Sequence, residues 1–347
     1  MVAPEIHRAA RVDRAFIRWR ARRARESGQR ATVVPHTGYG STDWIRILGR
    51  VLLTRELPRG LKQWTGARGW RNFTSVPVED AQVEVEVDGR IHTVTADSGG
   101  IIDVRLDVDL SPGWHRIGLS SEGSDPAESY VYVVDPQTRF GLVSDIDDTV
   151  MVTALPRPLL AAWHTFVVNE HARATTPGMP VLYERLTSQN PGAPVIYLST
   201  GAWNVAPTLT RFLSRNLYPA GALLLTDWGP TADRWFRSGQ EHKRGALERL
   251  AKEFPDIKWL LIGDDGQHDP SIYGDFLKHH PDNVRAVCIR QLSPGEAVLA
   301  GSTQRDRTPA RGTTVPWLEA SDGAGLADKL EEIGLLDPAP QQLEVLA

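Results

Sequence analysis

The 347-residue chain predicts an α/β protein: a doubly wound parallel sheet preceded by an all-β sandwich and a basic N-terminal helix. Three observations predict it. Residues 5–25 lack Gly and Pro and are rich in arginine, which suits a solvated helix. Residues 83–108 alternate apolar and polar with period two, as half-buried strands do. Residues 139–300 alternate short apolar runs with helical stretches, the pattern of a parallel sheet covered on both faces.

Composition narrows the class further. Apolar residues make up 41% and charged residues 24%, which excludes wholesale disorder, collagen repeats and coiled coil. The single cysteine, Cys288, excludes an intrachain disulfide scaffold and a cysteine-based zinc site. The longest apolar run, around Pro158–Val168, contains a His and falls short of the roughly 18 residues a membrane span needs. The N-terminus lacks the continuous apolar stretch of a secretory signal. A cytoplasmic protein in a reducing setting is the expectation.

The first element is a basic amphipathic arm, residues 1–30. Ala9, Val12, Phe16 and Trp19 form a narrow apolar stripe, Arg8, Arg11, Arg14, Arg18, Arg22 and Arg25 cover the rest, and Gly28 ends the helix. Residues 1–71 hold 16 Lys+Arg against 5 Asp+Glu, whereas the remainder holds 23 against 38. That split points the arm at its own fold, an anionic membrane surface, or an acidic partner. No nucleic-acid partner is expected, and oligomeric state is not legible.

The sandwich is expected over residues 31–138. Trp44–Leu53 reads as strand. Val83, Val85 and Val87 alternate with acids before the turn pair Asp88-Gly89, and Ile102, Val104, Leu106 and Val108 alternate likewise. Ser98-Gly99-Gly100 and Pro112-Gly113 punctuate, and Val131 and Val133 lie on a last strand. Residues 56–75 read as an irregular insertion. The tryptophans between 44 and 114 read as core packing rather than a ligand face.

The α/β domain is expected over 139–336, with a loose tail from 337. Strands are expected at Phe140–Ser144, Val195–Ser199, Ala222–Leu225, Trp259–Ile262 and Val284–Ile289. Helices are expected at Leu182–Ser188, Pro207–Arg215, Lys243–Phe254, Ser271–His279 and Leu326–Ile333. Doubly wound sheets bind ligands beyond the carboxyl ends of their strands. There the first strand ends in Ser144-Asp145-Ile146-Asp147-Asp148-Thr149, the second in Ser199-Thr200-Gly201, and the fourth in Gly263-Asp264-Asp265-Gly266. Lys243 opens the helix before the fourth strand. Strand-end aspartates often only cap loops. Three within four residues concentrate like charge, and that calls for a cation such as Mg²⁺, which binds through one or two carboxylates. Asp145 and Asp147 fall on one side of an extended chain, so one carboxylate can attack while the other moves protons. Lys243 and a Ser/Thr hydroxyl can hold oxygens where charge develops.

The segments SDIDDTV, YLST, Lys243 and LLIGDDGQHDP resemble, in order, the four motifs of haloacid dehalogenase-like phosphatases. Together with YLSTGAWN, GALLLTDWG and the run from His242 through VCIR (287–290), they resemble the phosphatidate phosphatase catalytic domain typified by the fungal actin patch protein. The resemblance covers roughly residues 139–320. It implies Asp145 as nucleophile and metal ligand and Asp147 as general acid/base, with its carbonyl on the metal. It implies that Asp264 completes the metal site, with Asp265 or Asp269 assisting. Ser199, with Thr200 and Gly201, would bind the phosphoryl group, and Lys243 would steady Asp145 and the phosphoryl charge. The implied cofactor is Mg²⁺ and the implied substrate a lipid phosphate. A soluble phosphate ester and a non-catalytic scaffold are the alternatives. The family usually has Ser where Asp265 stands, and the second motif reads Ser199-Thr200-Gly201-Ala202-Trp203 rather than the eukaryotic Ser-Asn-Ser-Pro-Trp. The stretch 150–194, with Trp163, His164 and His171, is too short for a large cap. His164 and His171 are expected to pack or face solvent.

Overall fold

Two sheets organise the chain in a computed structural model that describes residues 18–55, 75–152, 174–226, 232–266, 268–299 and 314–339. Side chains of the helix that begins at residue 232 are described from 239 onward. The expectations for residues 1–17, the 56–74 insertion, Trp163, His164, His171 and the end of the tail lie outside these residues.

Residues 18–26 are helical (α1), and Gly28 stops them at φ +80°, a left-handed turn that costs glycine no Cβ clash. Of the expected apolar stripe, only Trp19 lies within the described residues, and it is not on the packed face. Ala21 and Ala24 are buried, while Trp19 is 53% exposed with Arg23 over its ring at 5.7 Å. Small side chains let the helix sit close to the sheet, and the wide indole faces outward.

The first sheet has eight strands: β1 (Arg30–Ser41), β2 (Trp44–Thr54), β3 (Val76–Pro77), β4 (Gln82–Val87), β5 (Arg90–Thr95), β6 (Ile101–Asp107), β7 (Gly113–Ser121) and β8 (Ala127–Val134). The alternation in β4 buries Val83, Val85 and Val87 and exposes Gln82, Glu84 and Glu86. Its hairpin to β5 turns on Asp88 (φ 47°) and Gly89 (φ 72°), the paired positive angles that a two-residue turn requires. Where a sandwich was expected, one curled mixed sheet forms, in the order β3-β2-β1-β8-β7-β4-β5 with β6 also on β2. Its β1–β8 pair is parallel. That pairing joins the first and last strands of the region, a long-range choice that local alternation does not encode. Trp44 is buried as expected, but Trp114 is 47% exposed and leans on Tyr132.

The second sheet is parallel throughout: β9 (Phe140–Asp145), β10 (Val195–Ala202), β11 (Ala222–Thr226), β12 (Lys258–Asp264), β13 (Val284–Arg290) and β14 (Trp317–Ala320), in the order β11-β10-β9-β12-β13-β14. Helices α2 (Met179–Gln189), α3 (Ala206–Arg215), α4 (Ala232–Glu253), α5 (Asp269–His279), α6 (Pro294–Leu299) and α7 (Gly323–Glu332) follow the strands in turn. The sheet grows from β9 to β11, then restarts at β12 on the other side of β9. That reversal is a switch point, where strand ends splay and leave a crevice. Two elements, β14 and α6, were not predicted. Lys243 does not open its helix. It sits in the middle of α4, which begins eleven residues earlier. Asp337 is still tied down, its N–H donating to Gln189 Oε1 at 2.8 Å, so any loose tail starts later.

The two sheets share packing. Tyr39, Trp44, Leu48, Ile101 and Val134, all from the first sheet's region, belong to the apolar cluster of the second. Beside them Tyr39 donates its hydroxyl hydrogen to Glu253 Oε2 at 2.8 Å and Arg46 Nε donates to Glu253 Oε1 at 3.1 Å. Asp103 receives Arg46 at 2.7 Å and Arg249 at 2.7 Å. No described helix is long and apolar enough to cross a membrane.

Candidate active site at the strand ends

Strand β9 runs buried from Gly141 into Asp145, so the apolar run that makes it a central strand delivers a carboxylate to its carboxyl end. Ser144 beneath is held by Tyr183 of α2, hydroxyl to hydroxyl. The chain then turns sharply. Asp148 takes φ 60°, its N–H donates to Met151 O at 2.8 Å, and Val150 N donates to Ile146 O at 3.0 Å. The Asp148 carbonyl accepts from Arg290 Nη1, at the end of β13, at 2.7 Å. This turn returns Asp147 over the strand ends, where its Oδ2 accepts from Ser199 Oγ at 3.0 Å. Ser199 Oγ in turn accepts from Gly201 N at 2.9 Å. The Thr200 and Gly201 carbonyls accept from Thr226 Oγ1 at 2.9 and 3.2 Å, which pins this segment to β11.

Lys243 reaches the same place from α4. It is 2% exposed, and its Nζ donates to Asp145 Oδ1 and to Asp269 Oδ1, each at 2.6 Å. Asp264, at the end of β12, is fully buried and accepts from Gly266 N at 2.7 Å. Oxygens of Asp145, Asp264 and Asp269 lie within 4.8 Å of one another. Gly263 permits this. A Cβ there would stand 2.6 Å from Asp269 Oδ2 and 2.8 Å from the Tyr273 ring.

The predicted residues Asp145, Asp147, Ser199, Gly201, Lys243 and Asp264 are thus brought together, with Thr200 half-buried beside them. Asp265 is not. Its N–H donates to Arg290 O at 3.0 Å and its Oδ1 accepts from Leu292 N at 2.7 Å, so its carboxylate serves the loop after β13. Asp269 takes the place beside Lys243. Sequence reasoning missed Tyr183, Arg290 and Thr226. Arg290 closes the VCIR segment, and Thr226 closes GALLLT, but neither position marks the contact it makes.

The electrostatics are lopsided. Asp145, Asp147, Asp148, Asp264 and Asp269 are all buried, and Lys243 is the buried cation that pairs with two of them. Burial pushes the Asp145 carboxyl well above the usual range. Lys243 pulls it back, while Asp269 and Asp147 raise it further. Burial likewise pushes Asp264 up, helped by Asp269, Asp145 and Asp148. Burial works against the Lys243 ammonium, but Asp145 and Asp269 outweigh it and hold the ammonium charged. Like charges about 4 Å apart repel by roughly 4 kcal/mol at an effective dielectric of about 20. Asp145 Oδ2 is buried with no hydrogen-bond partner. A surplus of buried carboxylate and an orphaned oxygen fit a hard cation with oxygen ligands.

Comparison with known proteins covers this region. Residues 140–291 match the family model described as the phosphatidate phosphatase APP1 catalytic domain. This segment is similar to that family's catalytic domain. Among relatives, the chain is 26% identical over 204 residues to Phosphatidate phosphatase APP1 of Saccharomyces cerevisiae, covering 57% of this chain and 34% of that protein. It is 26% identical over 165 residues to an uncharacterized protein of Schizosaccharomyces pombe, covering 47% of this chain and 27% of that one. The chain therefore spans about a third of the length of these relatives. The matched segment starts at the first residue of β9 and ends just past β13, so it contains all the buried carboxylates described above. Solved structures are distant: PhoD superposes at TM-score 0.30 with 9% identity, covering 76% of this chain and 71% of that one. Superposition this loose carries no argument about fold.

Proposed function

We propose that this protein is a Mg²⁺-dependent phosphatase of haloacid dehalogenase-like fold that hydrolyses phosphatidate or a related lipid phosphate. The observation that carries the reading is the convergence of Asp145, Asp147, Ser199, Lys243 and Asp264 at the strand ends, within a segment similar to the APP1 catalytic domain. Asp145, Asp264 and Asp269 would hold the cation, with the Asp147 carbonyl. Bound there, Mg²⁺ offsets negative charge and polarises phosphoryl oxygens.

The chain's own residues supply the rest. Asp145 attacks phosphorus through a carboxylate oxygen to give an aspartyl-phosphate, and the ester oxygen leaves. Lys243 holds the other oxygen of Asp145 and offsets the charge that gathers on the phosphoryl group. Asp147, protonated, gives its proton to the leaving oxygen; it then takes one from the water that hydrolyses the intermediate. Ser199 orients Asp147 and, with Thr200 and Gly201, binds phosphoryl oxygens. The products are diacylglycerol and phosphate.

In this reading residues 31–138 form one domain and 139–336 the phosphatase domain. The arm at 1–30 meets an anionic membrane surface. An outward-facing Trp19 amid exposed Arg18, Arg20, Arg22, Arg23 and Arg25 supports that placement. Phosphate release from dioleoyl phosphatidate in mixed micelles, measured with MgCl₂ and with EDTA, tests the activity. Asp145→Asn and Asp147→Asn should each lose at least about a hundredfold, as removal of a nucleophile or acid/base does. Equal release by wild type and both variants would sink the mechanism. Faster turnover of a soluble ester would move the substrate away from lipid. Removal of residues 1–28 should abolish sedimentation with phosphatidylserine vesicles, and unchanged sedimentation would remove the membrane role.

A further inference from the structure

The segment that carries Ser199 is gripped from two sides. On one side Thr226 of β11 holds the Thr200 and Gly201 carbonyls. On the other the grip comes from the first sheet. Residues Trp203–Val205 form a single 3₁₀ turn between β10 and α3. Arg50 of β2 donates through Nη1 to Asn204 Oδ1 in this turn, and through Nε to Gly99 O at 3.2 Å. His36 of β1 stacks on the Trp203 indole, with ring centroids 5.0 Å apart and planes 20° from parallel. The His36 backbone is itself fixed, its carbonyl accepting from Ser129 Oγ of β8 at 2.7 Å. His36 and Trp203 are both buried, whereas Arg50 and Asn204 are half-buried.

We infer that Arg50 and His36 are positioning residues: they lock the Trp203–Asn204 turn and thereby set the Ser199–Gly201 segment against Asp147. Two residues separate Gly201 from Asn204. So short a link leaves little slack, and displacement of the turn moves the Gly201 N–H that Ser199 Oγ accepts, and with it the hydroxyl that meets Asp147. Arg50 suits the task because a guanidinium can hold a side-chain amide and a loop carbonyl from one planar group. His36 acts as a neutral ring, since burial and the nearby Arg50 charge push its pKa down to about 3. The first sheet is thus a working part of the site rather than an appended module. This rests on the phosphatase reading of the site.

The test compares wild type with Arg50→Ala, Arg50→Lys, Asn204→Ala and the Arg50→Ala/Asn204→Ala pair. Turnover of phosphatidate, affinity for inorganic phosphate by titration calorimetry with MgCl₂, and melting temperature are read for each. Arg50→Ala should lower kcat about tenfold with KM within about twofold, roughly 1.4 kcal/mol of lost transition-state stabilisation. Arg50→Lys, which keeps a donor, should recover part of the loss. The double variant should be no worse than Arg50→Ala, because the contact that Asn204→Ala removes is already lost with Arg50. If Arg50→Ala does not fold, His36→Phe against His36→Ala makes the same comparison, with Phe keeping the stack and turnover. An active wild type matched by Arg50→Ala, or losses that add in the double variant, overturns this inference and leaves the phosphatase reading standing. A wild type that neither binds inorganic phosphate nor releases it from any ester overturns both.

Discussion

At the residue scale, the cost of holding charge at the strand ends is measurable without any assay of turnover. Burial and neighbouring acids raise Asp264 well above the usual carboxyl range, so the folded state binds its proton more tightly than the unfolded state does. The sign follows from linkage: stability contributed by that proton is present at acid pH and lost as pH rises from about 4 through the raised value. In EDTA at pH 8, Asp264→Asn should therefore melt a few degrees above wild type, and the gap should close toward pH 4. Adding MgCl₂ should raise the wild-type melting temperature by mass action and leave the variant nearly unmoved. Circular dichroism melts across pH check both halves; an Asn variant that melts lower in EDTA contradicts the electrostatic account. Cys288 offers a second residue-scale check. It is buried, and burial pushes its thiol up to about 12. It should resist alkylation in the folded protein and react only in denaturant, read by mass spectrometry.

At the element scale, strands announced themselves and helix extents did not. Five buried strands were legible because parallel strands covered on both faces are continuous apolar runs. β14 was not, because Trp317–Ala320 is short and every residue is only half-buried, which leaves no run to read. The start of α4 was hidden for a different reason. The stretch Arg237–His242 holds no apolar side chain, so apolar periodicity begins only after Lys243 although the backbone is already helical. Lys243 is legible all the same, because a lysine ahead of LLIGDDGQHDP matches the order of the four motifs. Asp269 was weighed only against Asp265, since the sequence does not say which carboxylate faces inward. The spacing that settles it is structural: Gly263 lets the start of α5 approach β12. Gly263→Ala should cost about 1–3 kcal/mol, as overpacking does. It should also weaken divalent-cation affinity, because the added Cβ meets Asp269 Oδ2 at 2.6 Å. Urea denaturation and Mg²⁺ titration check the two effects, and a variant with wild-type stability would show that the helix start yields freely.

At the scale of the whole molecule, five residues of the first sheet's region join the apolar cluster of the second, beside a set of charges that is largely buried. Arg46 and Glu253 are 13% and 7% exposed, which removes them from the class of surface pairs worth little. Glu253→Ala would leave Arg46 and the Tyr39 hydroxyl short of their acceptor. We expect a loss of about 3 kcal/mol, in line with breaking a buried pair. Unfolding should also separate into two transitions in a calorimetric scan where wild type shows one. A single transition at the wild-type temperature would show that the interface does not couple the sheets. None of this coupling was legible in the sequence. Arg46 sits on a strand that reads as ordinary alternation, and Glu253 ends a helix 207 residues later. Local pattern identifies what each segment becomes, whereas pairing over such a separation depends on how the finished faces meet.

The left-handed turn at Asp148 has a consequence for how the chain can vary over evolutionary time. At φ 60° the backbone tolerates Gly, Asn and Asp far better than branched or bulky residues. Arg290 holds the carbonyl of this residue, a group that every amino acid supplies. Descendants of this gene should therefore drift among those three residues at position 148 while keeping arginine at 290. A lineage that acquired Gly or Asn would also shed one acid that presses on Asp264, and so would need the cation less in order to stay folded.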